Sequence, residues 1–139
     1  MLSLHNVSKR YANDVLALAP TSLTIEAGRF TVLLGPSGAG KSTLLRCLNL
    51  LETPSTGEIE STTFGTLDSA QRVRAHRRRT GMIFQQHQLL PRLSVLHNVL
   101  LGRIGYHGFW RMLLPLSAQE QALALDALDR VGLADKAGV

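Results

Sequence analysis

Lys41, Ser42 and Thr43 come after a run of small residues, Gly35-Pro36-Ser37-Gly38-Ala39-Gly40. The spacing fits G-x-x-x-x-G-K-[ST], the pattern of a phosphate-binding loop, at every fixed position. Glycines let the backbone fold into a tight nest whose N–H groups point at phosphate oxygens. A helix starting at the end of the nest adds its positive dipole end. The Lys41 ammonium suits β- and γ-phosphates, and the Ser42 hydroxyl suits Mg²⁺, a hard cation that takes oxygen ligands.

Other residues could complete such a site. Thr80-Gly81-Met82-Ile83-Phe84-Gln85-Gln86 reads as a strand ending in amides. Ligands sit at the carboxyl ends of strands in open α/β sheets. Gln85 is therefore a candidate to reach Mg²⁺ or orient a water, with Gln86 and Gln88 as weaker candidates. Tyr11 lies in a polar stretch, Ser8 to Asp14, that reads as a turn. Its ring could stack on a flat base or serve ordinary packing, and position alone does not separate the two.

The elements that must hold these residues are legible in order. Leu2, Leu4 and Val7 suggest a first strand. Leu16, Leu18, Leu23 and Ile25 suggest a second, interrupted by Pro20, so a small antiparallel β-layer is expected ahead of the loop. Phe30-Thr31-Val32-Leu33-Leu34 is a short apolar run of the kind that forms a buried parallel strand. Leu44, Leu45, Leu48 and Leu51 are spaced as one apolar face of a helix after the loop. Strand, glycine loop and helix is the order that the loop chemistry requires.

Further on, Glu58 to Phe64 alternates as a strand, and Asp68 or Ser69 is placed to cap a helix through Arg72–Arg79. That basic cluster reads as a solvated helix face rather than a polyanion site, because no aromatics are interleaved for base stacking. Ser94 is placed to cap a helix carrying Val95, Leu96, Val99 and Leu100, with a stop near Gly102. The segment from Ile104 to Leu116 concentrates aromatic and apolar residues, and reads equally as a partner surface or a packed loop. Ser117-Ala118-Gln119-Glu120 is a capping box. It opens a helix with Leu125, Leu128 and Val131 on one face and Gly132 as its stop.

Composition sets the bounds. The chain has 139 residues, 45% hydrophobic and 18% charged, which fits one folded domain and not a disordered one. A net charge of +5 favours anionic partners without choosing among them. Cys47 is the single cysteine, which excludes an internal disulfide, and it reads as a small core residue. His5, His76, His87, His97 and His107 lack metal-ligand spacing. The N-terminus lacks the basic start and long apolar core of a signal peptide, and no apolar run reaches the roughly 20 residues of a membrane span. The chain reads as cytosolic.

Taken together, these motifs resemble the N-terminal part of an ABC transporter ATP-binding subunit, over essentially the whole chain. Tyr11 falls where that family has its adenine-stacking aromatic. Gly35 to Thr43, with Leu44-Leu45-Arg46, is similar to its phosphate loop. Met82 to Gln86 resembles the strand entering its Q-loop, which puts the family's glutamine at Gln85. Leu90-Pro91-Arg92-Leu93-Ser94-Val95 and Asn98-Val99 resemble the family's segment after the Q-loop. The resemblance implies an α/β fold, the P-loop NTPase fold of an ABC nucleotide-binding domain. It divides the chain into an antiparallel layer at 1–29, a core from the P-loop to the Q-loop at 30–92, and the start of a helical subdomain at 93–139.

The resemblance further implies ATP and Mg²⁺ as ligands. Tyr11, Gly35, Pro36, Ser37, Gly38, Ala39, Gly40, Lys41, Ser42 and Thr43 would bind ATP, Ser42 and Gln85 would hold Mg²⁺, and Lys41 and Gln85 would take part in hydrolysis. It implies membrane permease subunits and a second ATP-binding subunit as partners, with no nucleic acid. The implied location is peripheral, at the cytoplasmic face of the inner membrane. Leu101 to His107 with Phe109-Trp110-Arg111 is similar to phosphonate-import ATP-binding subunits, while a polar amino-acid importer subunit shares much of the rest.

Four departures from the family pattern stand out. The L-S-G-G-Q signature, the Walker B strand and the switch histidine are not found in these residues, which the resemblance reads as a truncation before those motifs. The fragment alone is then expected to bind nucleotide weakly without turnover, as a non-catalytic remnant. A P-loop strand without its neighbour is expected to leave an apolar edge exposed. His97 stands where relatives usually show Glu, which is expected to weaken the cap at Ser94.

Overall fold

The computed structural model describes residues 1–85, 89–106 and 117–139. They form two compact units, Met1–Met82 and Ile83–Val139.

In the first unit, β1 (Leu2–Arg10) pairs antiparallel with β2 (Leu16–Ile25) on one side and with β3 (Thr56–Ser61) on the other. A two-residue β4 (Gly65–Thr66) extends the sheet to the order β2-β1-β3-β4. β1 runs through Ser8, Lys9 and Arg10, so the expected turn is shorter than the sequence suggested and holds Tyr11 to Val15. Tyr11 closes it by donating its backbone N–H to Val15 O at 3.0 Å. Nor does Pro20 interrupt β2, which is an edge strand, where a missing N–H need not break the ladder. Irregular pairing near Asn6 and Val7 shows as register shifts, with Asn6 at φ 52°.

Helix α1 (Lys41–Leu48) packs on this sheet through Leu44, Cys47 and Leu48. Leu4, Val7, Leu18, Leu50, Ile59 and Leu67 complete the core. The predicted apolar face is thus half right. Leu45 and Leu51 are exposed, and Cys47, as expected, is fully buried. The helix cannot carry Leu51 on its face because it ends at Leu48. Leu50 then turns back at φ 53° and drops its own side chain into the core.

The strand expected at 30–34 does not form. These residues carry no strand pairing among the described residues, and Phe30 and Leu34 are 95% and 89% exposed, with Leu33 alone packed against the core. An extended segment becomes a strand only when a neighbour takes its backbone groups. The same holds for 80–85, the described part of the strand expected at 80–86, where Ile83 is 99% exposed. Helix α2 (Ala70–Arg79) starts at the expected cap, with Ser69 Oγ accepting from Arg72 N–H.

In the second unit, α3 (Val95–Leu101) and α4 (Ala118–Asp129) pack together. Asn98 knits the preceding loop to α3: its amide bonds Leu90, Leu93 and Ser94 carbonyls and accepts from Leu90 N–H. At the helix start, Val95 N–H and Leu96 N–H donate to Val139 O and Ala137 O. His97 does reach Ser94, through Nδ1 and the Ser94 hydroxyl at 2.8 Å, while Ser94 Oγ accepts from His97 N–H. The Ser117–Glu120 capping box forms in both directions. The buried stripe of α4 is Glu120, Ala124 and Leu128, not Leu125 and Val131, which are exposed. No helix among the described residues is long and apolar enough to cross a membrane.

Candidate functional site

The glycine loop is built for close approach. Gly38 and Gly40 both take left-handed backbone angles, φ 83° and 82°. At Gly40 there is also no room: a Cβ would lie 2.7 Å from Ala17 O and 3.3 Å from Leu18 Cδ1. The end of the loop is therefore seated on the first residues of β2. The turn that carries Tyr11 ends at Val15, directly before that strand, so the same two-stranded corner positions both features.

α1 starts at Lys41, and Leu44 N–H donates to Gly40 O at 2.8 Å. The first turn of the helix has no acidic side chain and no side-chain cap, so its positive end faces the loop without compensation from the protein. Lys41 Nζ bends back to donate to Gly35 O at 2.8 Å and Pro36 O at 2.7 Å. An ammonium has three donors, and these bonds use two. Ser37, Gly38 and Ala39 are exposed, as is Ser42 in the first helical turn. The arrangement sets an ammonium and the open start of a helix beside an exposed glycine loop, a setting suited to an oxyanion chain.

Mg²⁺ suits this donor set. Magnesium is usually held by one or two protein oxygens together with substrate phosphates and waters, not by a closed protein cage. Ser42 supplies an oxygen at the right end of the loop, and no group of three or more His, Cys, Asp or Glu side chains that could hold a metal occurs among the described residues. Gln85 is exposed and belongs to the second unit, while Tyr11 and the loop belong to the first. Gln86, Gln88 and the segment 107–116 lie outside the described residues.

Sequence reasoning missed what holds the far end of α1. The last carbonyls of a helix need partners, and α2 provides them. His76 is buried with Nε2 2.9 Å from Leu48 O. A carbonyl only accepts, so Nε2 carries the proton. Arg77 donates to Asn49 O at 3.2 Å and to Leu50 O. Arg72 pairs with Asp68 and bonds Thr66 O, and Arg79 lies over the Phe64 ring. The arginines of α2 stay exposed, as the solvated-face reading expected; what that reading missed is that His76 is buried and that Arg77 also satisfies carbonyls at the end of α1. A histidine inside an arginine run was the available signal.

A protein-family model described as ABC transporter matches residues 18–138. The chain is 50% identical over 137 residues to the phosphonates import ATP-binding protein PhnC 1 of Trichodesmium erythraeum, covering 99% of this chain and 54% of that protein. It is 53% identical over 137 residues to the phosphite import ATP-binding protein PxtA of Stutzerimonas stutzeri, covering 99% and 50%. Among solved structures, the dimeric bacterial ABC transporter cassette MJ0796 superposes with a TM-score of 0.81 at 34% identity, covering 99% of this chain and 60% of that one. A post-hydrolysis dimer of the same cassette, bound to ADP and Pi, matches equally well. The chain spans about half the length of the curated relatives it matches.

Proposed function

The chain belongs to the ABC transporter family, and from that premise we propose that it forms the phosphate-gripping part of an importer's ATP-binding subunit. The fold is that of the ABC nucleotide-binding domain with its N-terminal antiparallel sheet. The observation that carries the reading is the loop itself, with Lys41 folded over Gly35 and Pro36 at the head of an uncapped helix. Gly35 to Thr43 bind the triphosphate, Tyr11 receives the base, and Ser42 holds Mg²⁺, which would neutralise the β- and γ-oxygens when bound. Gln85 reports on the γ-phosphate and the metal.

The likeness to PhnC and PxtA supports a phosphorus oxyanion, phosphonate or phosphite, as the imported solute. Permease subunits and a second ATP-binding subunit are the partners in this reading, and the membrane face is its place of work.

Titration with a fluorescent ATP analogue and Mg²⁺ tests the proposal. Lys41→Ala should weaken binding by about thirtyfold, the loss expected for one charge-assisted contact. Unchanged affinity in that variant would overturn it. The solute is tested separately, by growth of the source cell on phosphonate or phosphite as sole phosphorus supply after the gene is disrupted. Undiminished growth on both would remove that part of the reading.

A further inference from the structure

Lys9 stands two residues before Tyr11 and is drawn in three directions. Its ammonium lies 3.2 Å from Glu52 Oε2, donates to Thr53 O at 2.8 Å, and sits over the Tyr11 ring 5.4 Å from its centroid. The Lys9 and Glu52 side chains are only 15% and 28% exposed, so the pair is not an ordinary surface contact. Glu52 is itself tied to the phosphate-loop helix, because its backbone N–H donates to Arg46 O in α1 at 3.2 Å. On the other side, Lys9 pairs across the sheet with Leu18, whose side chain borders Gly40. Neighbouring backbone is pinned too: Arg10 N–H donates to Ser55 Oγ at 3.0 Å, and Arg10 Nη1 donates to Asp14 O at 3.0 Å. A continuous set of contacts therefore runs from α1 through Glu52 and Lys9 to the aromatic ring.

We propose that Lys9 and Glu52 are positioning residues for Tyr11, which hold the ring at a fixed place relative to the phosphate-loop helix as a preformed platform for a flat nucleobase. The inference rests on the reading of the loop as a triphosphate site. A cation held over one face by an ion pair restrains an aromatic side chain without covering its other face. The ring then need not be ordered when the base arrives. Immobilising one such side chain on binding weakens affinity by about three- to tenfold. An ion pair that merely braced the surface would change stability slightly and treat all phosphate ligands alike.

The test compares MgATP with magnesium tripolyphosphate, which has the phosphates and no base. Affinities are measured by calorimetry for the protein and for Lys9→Met, Glu52→Gln and Tyr11→Ala. Lys9→Met and the near-isosteric Glu52→Gln should each weaken ATP by about three- to tenfold relative to tripolyphosphate. Adding Lys9→Met to Tyr11→Ala should leave the ratio of the two affinities unchanged. Equal weakening of both ligands, or a full additive loss in the double variant, would overturn the proposal. Failure of the unaltered protein to bind tripolyphosphate would instead overturn the loop reading on which it rests.

Discussion

Two glycines of the phosphate loop make a matched experiment. Gly38 and Gly40 share a left-handed φ, 83° and 82°, but differ in surroundings. A Cβ at Gly38 meets nothing within 4 Å, while one at Gly40 lies 2.7 Å from the backbone oxygen of Ala17. Placing alanine in the left-handed region costs about 1–2 kcal/mol at either position. At Gly40 the close oxygen belongs to a strand and cannot swing away, so loop or strand must move. Overpacking of that kind adds about 1–3 kcal/mol. Gly38→Ala should thus lose about 1–2 kcal/mol and Gly40→Ala about 2–5 kcal/mol. Equilibrium urea unfolding tracked by circular dichroism reads the difference, with the slope checked for constancy across the variants. Gly40→Ala should also bind the ATP analogue more weakly, because the loop is displaced from its seat on β2. Equal losses in the two variants would refute the argument that the loop is seated against Ala17.

Two buried groups give further tests. His76→Ala removes the partner of Leu48 O and leaves a small cavity, for an expected loss of about 2–4 kcal/mol in urea unfolding; a loss under about 0.5 kcal/mol would show that the α1 end is held otherwise. Burial pushes the Cys47 thiol above its ordinary value near 9.0, with Lys9 opposing and Glu52 reinforcing the rise. The unfolded chain therefore ionises first. The protonated thiol's contribution is fully present below the unfolded value and is lost as pH rises through the folded one, so stability should fall above about pH 9. At pH 8 a thiol reagent should react only as fast as the protein opens, accelerating with urea, and reaction at the rate of free cysteine would contradict the burial.

Local chemistry was legible in the sequence, and it is the part that depends on neighbours along the chain. The glycine loop, the helix after it and the serine caps at Ser69, Ser94 and Ser117 all close over three or four residues, so the residues that make the contact also specify it. The family resemblance rests on the same local signals, which is why it could be stated from residues alone.

Tertiary structure decided what those signals could not. Of Leu125, Leu128 and Val131, expected on one inner face, only Leu128 is buried, with Ala124 and the capping glutamate: α4 ends at Asp129, before Val131, and the neighbour's position and not the leucine count selects the inner face. The arginines of the run at Arg72–Arg79 are exposed, as charge for solvent should be, but His76 is buried, and it and Arg77 satisfy carbonyls that only the end of α1 brings within reach. Phe30 to Leu34 has every mark of a buried strand and is not one, since a strand's hydrogen bonds belong to its partner. The loop's residue types are written between Gly35 and Thr43, whereas its seat on Ala17 and its link through Glu52 and Lys9 to Tyr11 join residues far apart in sequence, which only folding places side by side.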